Sequence, residues 1–122
     1  MSVRPGALRS SLRRADFLRA TRQGRRFTTE YFLLYLFDRK DSGPARLGIT
    51  VTRKVGNAVR RNRIKRLVRE WYRHMQAEPD VSTGVFDRAL SGCDLVVIAK
   101  RDLPPVLAQA DVSADLDGFQ AS

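Results

Sequence analysis

The chain has 122 residues, of which 43% are apolar, and a formal charge of +10 at pH 7. This length suits one domain with a small core, and the apolar fraction argues against intrinsic disorder. No apolar run approaches the roughly 20 residues that cross a bilayer, and the first residues lack the apolar region of a secretory signal. A cytoplasmic, single-domain protein spanning residues 1–122 is therefore expected.

The positive charge is concentrated in the first two thirds of the chain. Residues 1–73 hold 20 of the 23 Lys and Arg against 5 acids, whereas residues 74–122 hold 3 against 8. Such a balance favours a polyanionic partner, either nucleic acid or an acidic membrane surface. The single Cys93 and the single His74 exclude an internal disulfide and a zinc site built from these residue types. Cys93 is predicted to be a small buried residue.

The N-terminal part is predicted to be a mobile basic lead-in followed by a short helix. The lead-in covers residues 1–10 and the helix about 11–22, with Ser10 or Ser11 as N-cap and Gly24 as the stop. The core-facing stripe of this helix is predicted to be Leu12, Ala15 and Leu18, with Phe17 beside it.

Three segments have the composition of β-strands. The first two, "FTTEYFLLYLFD" at 27–38 and "ARLGITVTRK" at 45–54, are predicted to pair antiparallel across the turn "DRKDSG". The run "DLVVIAK" at 94–100 is nearly all apolar, which is typical of a strand in a sheet interior. The acidic segment 102–122 is predicted to form a helix after Pro105, on the sparse apolar positions Val106, Leu107, Leu116 and Phe119.

A long helix with two distinct sides is predicted between about 58 and 76, with Asn57 as its N-cap. One side is an apolar stripe made of Ile64, Leu67, Val68, Trp71 and Met75. The opposite side carries Asn62, Arg66, Arg69 and Arg73, with Lys65 beside them.

The charge on this helix is unusually one-sided. Nine cations but only one acid, Glu70, lie between Arg53 and Arg73. A charge run is usually a solvated surface, but solvated helices mix signs so that neighbouring pairs offset repulsion. Arginine guanidinium groups and helix N-termini both bind phosphate oxygens. The pattern therefore indicates a partner whose phosphodiester backbone is already folded into a fixed shape.

The run "RLGITVTRKVGNAVRRNRIKRLVREWYR" at 46–73 closely resembles the signature of the bacterial ribonuclease P protein component. The resemblance extends to "LRRADFLRATRQGRR", "EYFLLYLF" and "DLVVIAK", and so covers most of residues 12–101. It fades in 102–122, which contain four acids and no Lys or Arg, whereas the last helix of the family is usually basic.

The resemblance implies an α+β fold of order αβββαβα, with a four-stranded sheet and a left-handed βαβ crossover. It also implies that the protein binds the catalytic RNA subunit of ribonuclease P and the 5′ leader of precursor tRNA, and that magnesium ions are held mainly by the RNA. The positions implied to contact the RNA subunit are Arg53, Lys54, Arg61, Asn62, Arg63, Lys65, Arg66 and Arg69, and the cationic side of the helix adds Arg73. Those implied to line a leader cleft are Phe17, Phe32 and Tyr35, the last two of which point to opposite faces of a regular strand. Thr21 stands where relatives often carry a second aromatic residue.

The sequence offers no catalytic residues of its own. A stand-alone nuclease needs clustered carboxylates for metal ions or a histidine with a partner, whereas His74 follows the basic helix with no evident partner. Asp38, Asp41 and the acids after residue 101 are interpreted as turn and surface chemistry. Two alternatives remain open: a general RNA- or DNA-binding module of ribosomal type, and an independent nuclease.

Overall fold

The computed structural model describes residues 12–41, 43–77 and 92–121, and these follow the predicted order αβββαβα. The elements are α1 Arg14–Gln23, β1 Arg25–Thr28, β2 Phe32–Asp38, β3 Arg46–Thr50, α2 Ala58–Ala77, β4 Cys93–Ala99 and α3 Gln109–Ala121. The predicted lead-in lies outside the described residues. The helix predicted at about 11–22 begins later, at Arg14, and Arg13 occupies its N-cap position without a side-chain hydrogen bond, so the prediction of Ser10 or Ser11 as N-cap is wrong.

The four strands form one mixed sheet in the order β1-β2-β4-β3. β4 is antiparallel to β2 and parallel to β3, so β3, α2 and β4 form a βαβ unit. The predicted antiparallel pairing of the segments 27–38 and 45–54 is wrong, because β4 lies between β2 and β3. Six of the seven β4 residues are buried, as a strand covered on both faces requires, whereas Leu47 is the one buried residue of β3. The interior position therefore goes to the more apolar strand.

One face of the sheet carries the main core. Strand residues Phe32, Leu34 and Leu95 pack there against α2 and α3. The predicted stripe of α2 is confirmed for Ile64, Leu67, Val68 and Trp71, all at most 7% exposed, while the side chain of Met75 is not described. The helix predicted after Pro105 is confirmed as α3, and it begins at Gln109. Of its predicted apolar positions, Leu107 and Leu116 are buried, Val106 is exposed, and the side chain of Phe119 is not described.

The other face of the sheet carries α1, whose orientation differs from the prediction. Ala20 is fully buried, whereas Ala15 is exposed. The difference in orientation is explained by an ionic cluster below the helix. There, Arg19 of α1 lies near the carboxylate of the buried Asp94, which also pairs with Arg39 and Arg46. Apolar spacing alone therefore misplaced the inward side of α1.

Gly24 ends α1, as predicted. Its N–H donates to the Ala20 carbonyl at 2.8 Å. A Cβ at this position would lie 2.5 Å from that oxygen and 2.8 Å from the Leu36 carbonyl oxygen, so only glycine lets the chain turn directly from α1 into β1.

Candidate nucleic-acid interface

The N-terminus of α2 is capped as predicted. The Asn57 side-chain oxygen accepts the Arg60 backbone N–H at 2.9 Å, and the Asn57 carbonyl accepts that of Arg61 at 2.9 Å. The preceding turn leaves Arg53 and Lys54 exposed beside the cap. Two cations and the positive end of the helix dipole thus lie together at one point of the surface.

The cationic side of α2 is accessible over its whole length. Asn62, Arg66 and Arg73 are exposed, and Arg61, Lys65 and Arg69 are partly exposed. Glu70 is 2.6 Å from Arg73 and 3.2 Å from His74, which supplies the partner that the sequence did not reveal for the histidine. Among the described carboxylates, none forms an ion pair with Lys65, Arg66 or Arg69. The middle of this side therefore carries uncompensated positive charge.

Two of the nine cations bind carbonyls of a distant segment instead, and Arg61 donates to the nearby Gly56 carbonyl at 3.1 Å. Arg60 donates to the carbonyls of Pro104 and Pro105 at 2.6 and 2.8 Å, and to that of Val55 at 3.1 Å. Arg63 donates to the Leu107 carbonyl at 2.6 Å. Both guanidinium groups tie α2 to the segment before α3. The sequence gives no local signal of these bonds, because the carbonyls of residues 104, 105 and 107 lie more than 40 residues away.

The two strand aromatics lie on opposite faces of the sheet. Phe32 belongs to the core and is 0% exposed, so its side chain offers no surface to RNA. Tyr35 is partly exposed, and strand alternation places it on the face that carries α1. Tyr35 pairs with Val96 of β4, which pairs in turn with Gly48 of β3. This row runs across the sheet towards the β3 edge.

A groove opens at the β3 edge of this row. It has a volume of about 230 Å³ and is lined by Leu12, Phe17, Leu47, Gly48, Ile49, Lys65 and Arg69. A Cβ at Gly48 would lie 2.6 Å from the Leu12 methyl, so the missing side chain makes room for the segment that leads into α1. Phe17 therefore shares one groove with two cations of α2, whereas the sequence had assigned them to separate surfaces. We call this the edge groove.

Other reactive groups lie elsewhere. Cys93 is buried as predicted, and burial raises the pKa of its thiol above the usual value. Asp38 and Asp41 accept turn N–H groups, from Lys40 at 2.7 Å and from Gly43 at 2.9 Å, as expected of turn residues. Within the described part of the chain, no group of three or more His, Cys, Asp or Glu is placed to hold a metal ion. None of the helices described there combines the length and the hydropathy that a bilayer-spanning segment needs.

The fold is that of bacterial ribonuclease P proteins of known structure. The RNase P protein from Thermotoga maritima superimposes with a TM-score of 0.72 at 32% identity, covering 91% of this chain and 94% of that one. The Staphylococcus aureus protein gives 0.69 at 28% identity, covering 90% of each chain.

The chain belongs to the ribonuclease P protein family, since the family model "Ribonuclease P" matches residues 9–116. The ribonuclease P protein component of Oleidesulfovibrio alaskensis is 38% identical over 114 residues, which are 93% of this chain and 81% of the relative. That of Desulfovibrio desulfuricans is 41% identical over 106 residues, 85% and 74% of the two chains. The resemblance noted in the sequence is thereby confirmed.

Proposed function

We propose that this chain binds the catalytic RNA of ribonuclease P through the cationic side of α2 and the 5′ leader of precursor tRNA on the α1 face of the sheet. The holoenzyme then removes the leader to generate the mature 5′ end. The observation that carries this proposal is the edge groove, where Phe17 lies beside Lys65 and Arg69. A ring that can stack on a base and two side chains that can bind phosphate thus line the same groove.

The cationic side of α2 suits a folded RNA. Its charges sit on a helix fixed by the buried stripe, so their spacing does not depend on mobile loops. Exposed Arg66 and partly exposed Arg69 have no competing carboxylate among the described residues. A rigid set of arginine forks binds one phosphate arrangement better than others, which favours a structured RNA over a single strand.

The α1 face suits a single strand of RNA. Beyond Tyr35, the next row across the sheet consists of Thr28, Leu33, Ile98 and Thr50, of which Thr28 is exposed and the others partly exposed. Aromatic and apolar surfaces stack on any base, so they bind a leader without reading its sequence. Phe17 and Tyr35 are the residues assigned to this role, and Phe32 is not.

The chemistry is assigned to the RNA partner. The described residues do not form a metal site, and magnesium is proposed to be held mainly by the RNA. The protein would supply substrate affinity, preference for precursor over mature tRNA, and screening between two polyanions.

A cleavage assay with three mixtures tests the proposal. Precursor tRNA is incubated at low magnesium with the protein alone, with a bacterial ribonuclease P RNA alone, and with both. Leader removal only in the combined mixture is the expected result. Cleavage by the protein alone would identify an independent nuclease, and no effect of the protein on the RNA would identify a general RNA-binding module; either result overturns the proposal.

A further inference from the structure

A buried carboxylate lies beneath α1 and offers no surface to RNA. Asp94 is 0% exposed and faces the α1 side of the sheet. It accepts hydrogen bonds from Arg39 at 2.6 Å and from Arg46 at 2.8 and 2.9 Å, the latter as a two-pronged contact. Its charge is therefore well satisfied without α1.

The ionic contacts nevertheless continue into α1. Arg19 is 3.8 Å from Asp94 and 2.8 Å from Asp16, one turn earlier on the same helix. Asp16 is 3.6 Å from Arg46, and the Arg19 guanidinium lies 4.9 Å from the centre of the Phe37 ring. Two carboxylates and three arginines thus link α1 to β2, β3 and β4. We call these five groups the α1 anchor.

Apolar burial of α1 is limited, since Phe17 and Leu18 are only partly buried. Its one fully buried residue is Ala20, which has a single methyl group to pack. The anchor therefore has a large share in setting the rotation and height of α1 over the sheet. Phe17 follows Asp16 directly, about 100° further round the helix, so a rotation that releases Asp16 also moves Phe17 in the edge groove.

We propose that Asp16 and Asp94 are positioning residues for leader binding, because they hold α1 where Phe17 can stack beside Tyr35. This inference rests on the proposed leader site. Two acidic residues would thus promote the binding of the polyanionic leader, although neither of them contacts the leader. Electrostatics alone predicts the opposite sign, since removing a carboxylate near RNA should strengthen binding.

The test compares Asp16→Asn with the wild type in the reconstituted holoenzyme. Affinity is measured for precursor tRNA with a leader of about eight nucleotides and for leaderless tRNA, together with protein affinity for the RNA subunit. Asp16→Asn is expected to reduce the ratio of leader to leaderless affinity by at least about fivefold, the factor for the weaker end of one lost base stack. Affinity for the RNA subunit should not fall.

Matched variants separate positioning from charge. Glu70→Gln removes a carboxylate from α2 and should leave the leader ratio unchanged. Arg19→Gln should reproduce the loss seen with Asp16→Asn, and Arg19→Lys should restore part of it because the charge beside Asp16 returns. Amide hydrogen exchange should become faster in α1 but not in α2 of the Asp16→Asn protein.

The outcomes are distinct. A folded Asp16→Asn protein with an unchanged or larger leader ratio overturns the positioning role. If that variant does not fold, the Arg19 pair decides by the same ratio. A wild-type holoenzyme without any leader preference refutes the proposed leader site itself.

Discussion

Trp71 donates its indole N–H to the Asp117 carboxylate at 3.0 Å, which joins the cationic helix α2 to the acidic helix α3. A second acid of α3, Asp115, accepts hydrogen bonds from Thr29 and from the backbone N–H groups of Glu30 and Tyr31. The interpretation of the C-terminal acids as turn and surface chemistry was therefore incomplete. Two of these acids hold α3 against the rest of the fold.

Asp115→Ala should destabilise the protein. The carboxylate accepts three hydrogen bonds at 2.8 to 3.0 Å in the turn between β1 and β2, and its loss leaves two backbone donors without this partner. A cost of about 2–4 kcal/mol in unfolding free energy is expected, since bonds to charged groups contribute more than neutral ones. Chemical denaturation measures it, with Asp102→Ala, in the exposed turn after β4, as the control. Equal stabilities of the two variants would contradict the structural role of Asp115.

Tyr72→Phe should leave the protein equally stable or more stable near neutral pH. The Tyr72 hydroxyl is buried and has no hydrogen-bond partner among the described residues. Removing it therefore relieves a desolvation cost of about 1–2 kcal/mol at most. Denaturation curves near pH 7 test this, and a clear loss of stability would show that the hydroxyl makes a contact in solution.

The same tyrosine predicts sensitivity to alkali. Burial raises the pKa of Tyr72 far above its usual value, and it also raises that of Cys93. In the unfolded chain these groups ionise near pH 8.5 to 10, so the unfolded state loses protons first and stability falls as pH rises beyond about 9. Tyr72→Phe should make this decline shallower above about pH 9, where the tyrosine of the unfolded chain begins to ionise, with the remainder due to Cys93 and other groups. If the decline of stability with pH had the same slope in Tyr72→Phe as in the wild type, Tyr72 would not be one of its causes.

Arg60→Gln should mainly lower stability, whereas Arg66→Gln should mainly weaken RNA binding. Arg60 bonds the carbonyls of Pro104 and Pro105, so its loss should cost about 1–3 kcal/mol of stability and little affinity for RNA. Arg66 is exposed, so its loss should leave the unfolding temperature unchanged but weaken binding to the RNA subunit. The plot of log affinity against log salt should become shallower by about 0.7–0.9 for one phosphate. A salt-independent affinity of the wild type would contradict the electrostatic account.

Local pattern was enough to predict α2. Its cap at Asn57, its buried stripe through Trp71 and its cationic side all follow from one helical period, and the structure agrees with the described part of each. Strand pairing was not predictable in the same way, because β2 pairs with β4, which lies about 60 residues further along the chain. Closing a long loop costs only slightly more entropy than closing a short one, so distant strands can pair. Adjacent segments were therefore a poor guide to adjacent strands.

The side chains that hold α1 were equally hidden. Asp94 lies in an apolar run and was predicted as part of a buried strand, but its partners Arg39 and Arg46 come from a turn and an edge strand. No spacing in the sequence links these three positions. The edge groove has the same origin, since Phe17 and Lys65 meet only through the placement of β3. The sequence did predict which residues of α2 are apolar and which are cationic.

The proposed separation of two RNA surfaces is tested most directly by a leader-length series. Holoenzymes made with the wild type, Arg66→Gln, and the double variant Phe17→Ala with Tyr35→Ala are titrated with precursor tRNAs whose leaders range from zero to about eight nucleotides. The double variant must first be shown to fold, because both rings are partly buried and aromatic truncation in a core costs about 3–5 kcal/mol.

The wild type should gain affinity as the leader lengthens, by about 1–3 kcal/mol for each base that stacks. The double variant should lose most of that gain while binding the RNA subunit normally, and Arg66→Gln should weaken assembly equally at every leader length. A folded double variant that keeps the wild-type dependence on leader length would contradict the account.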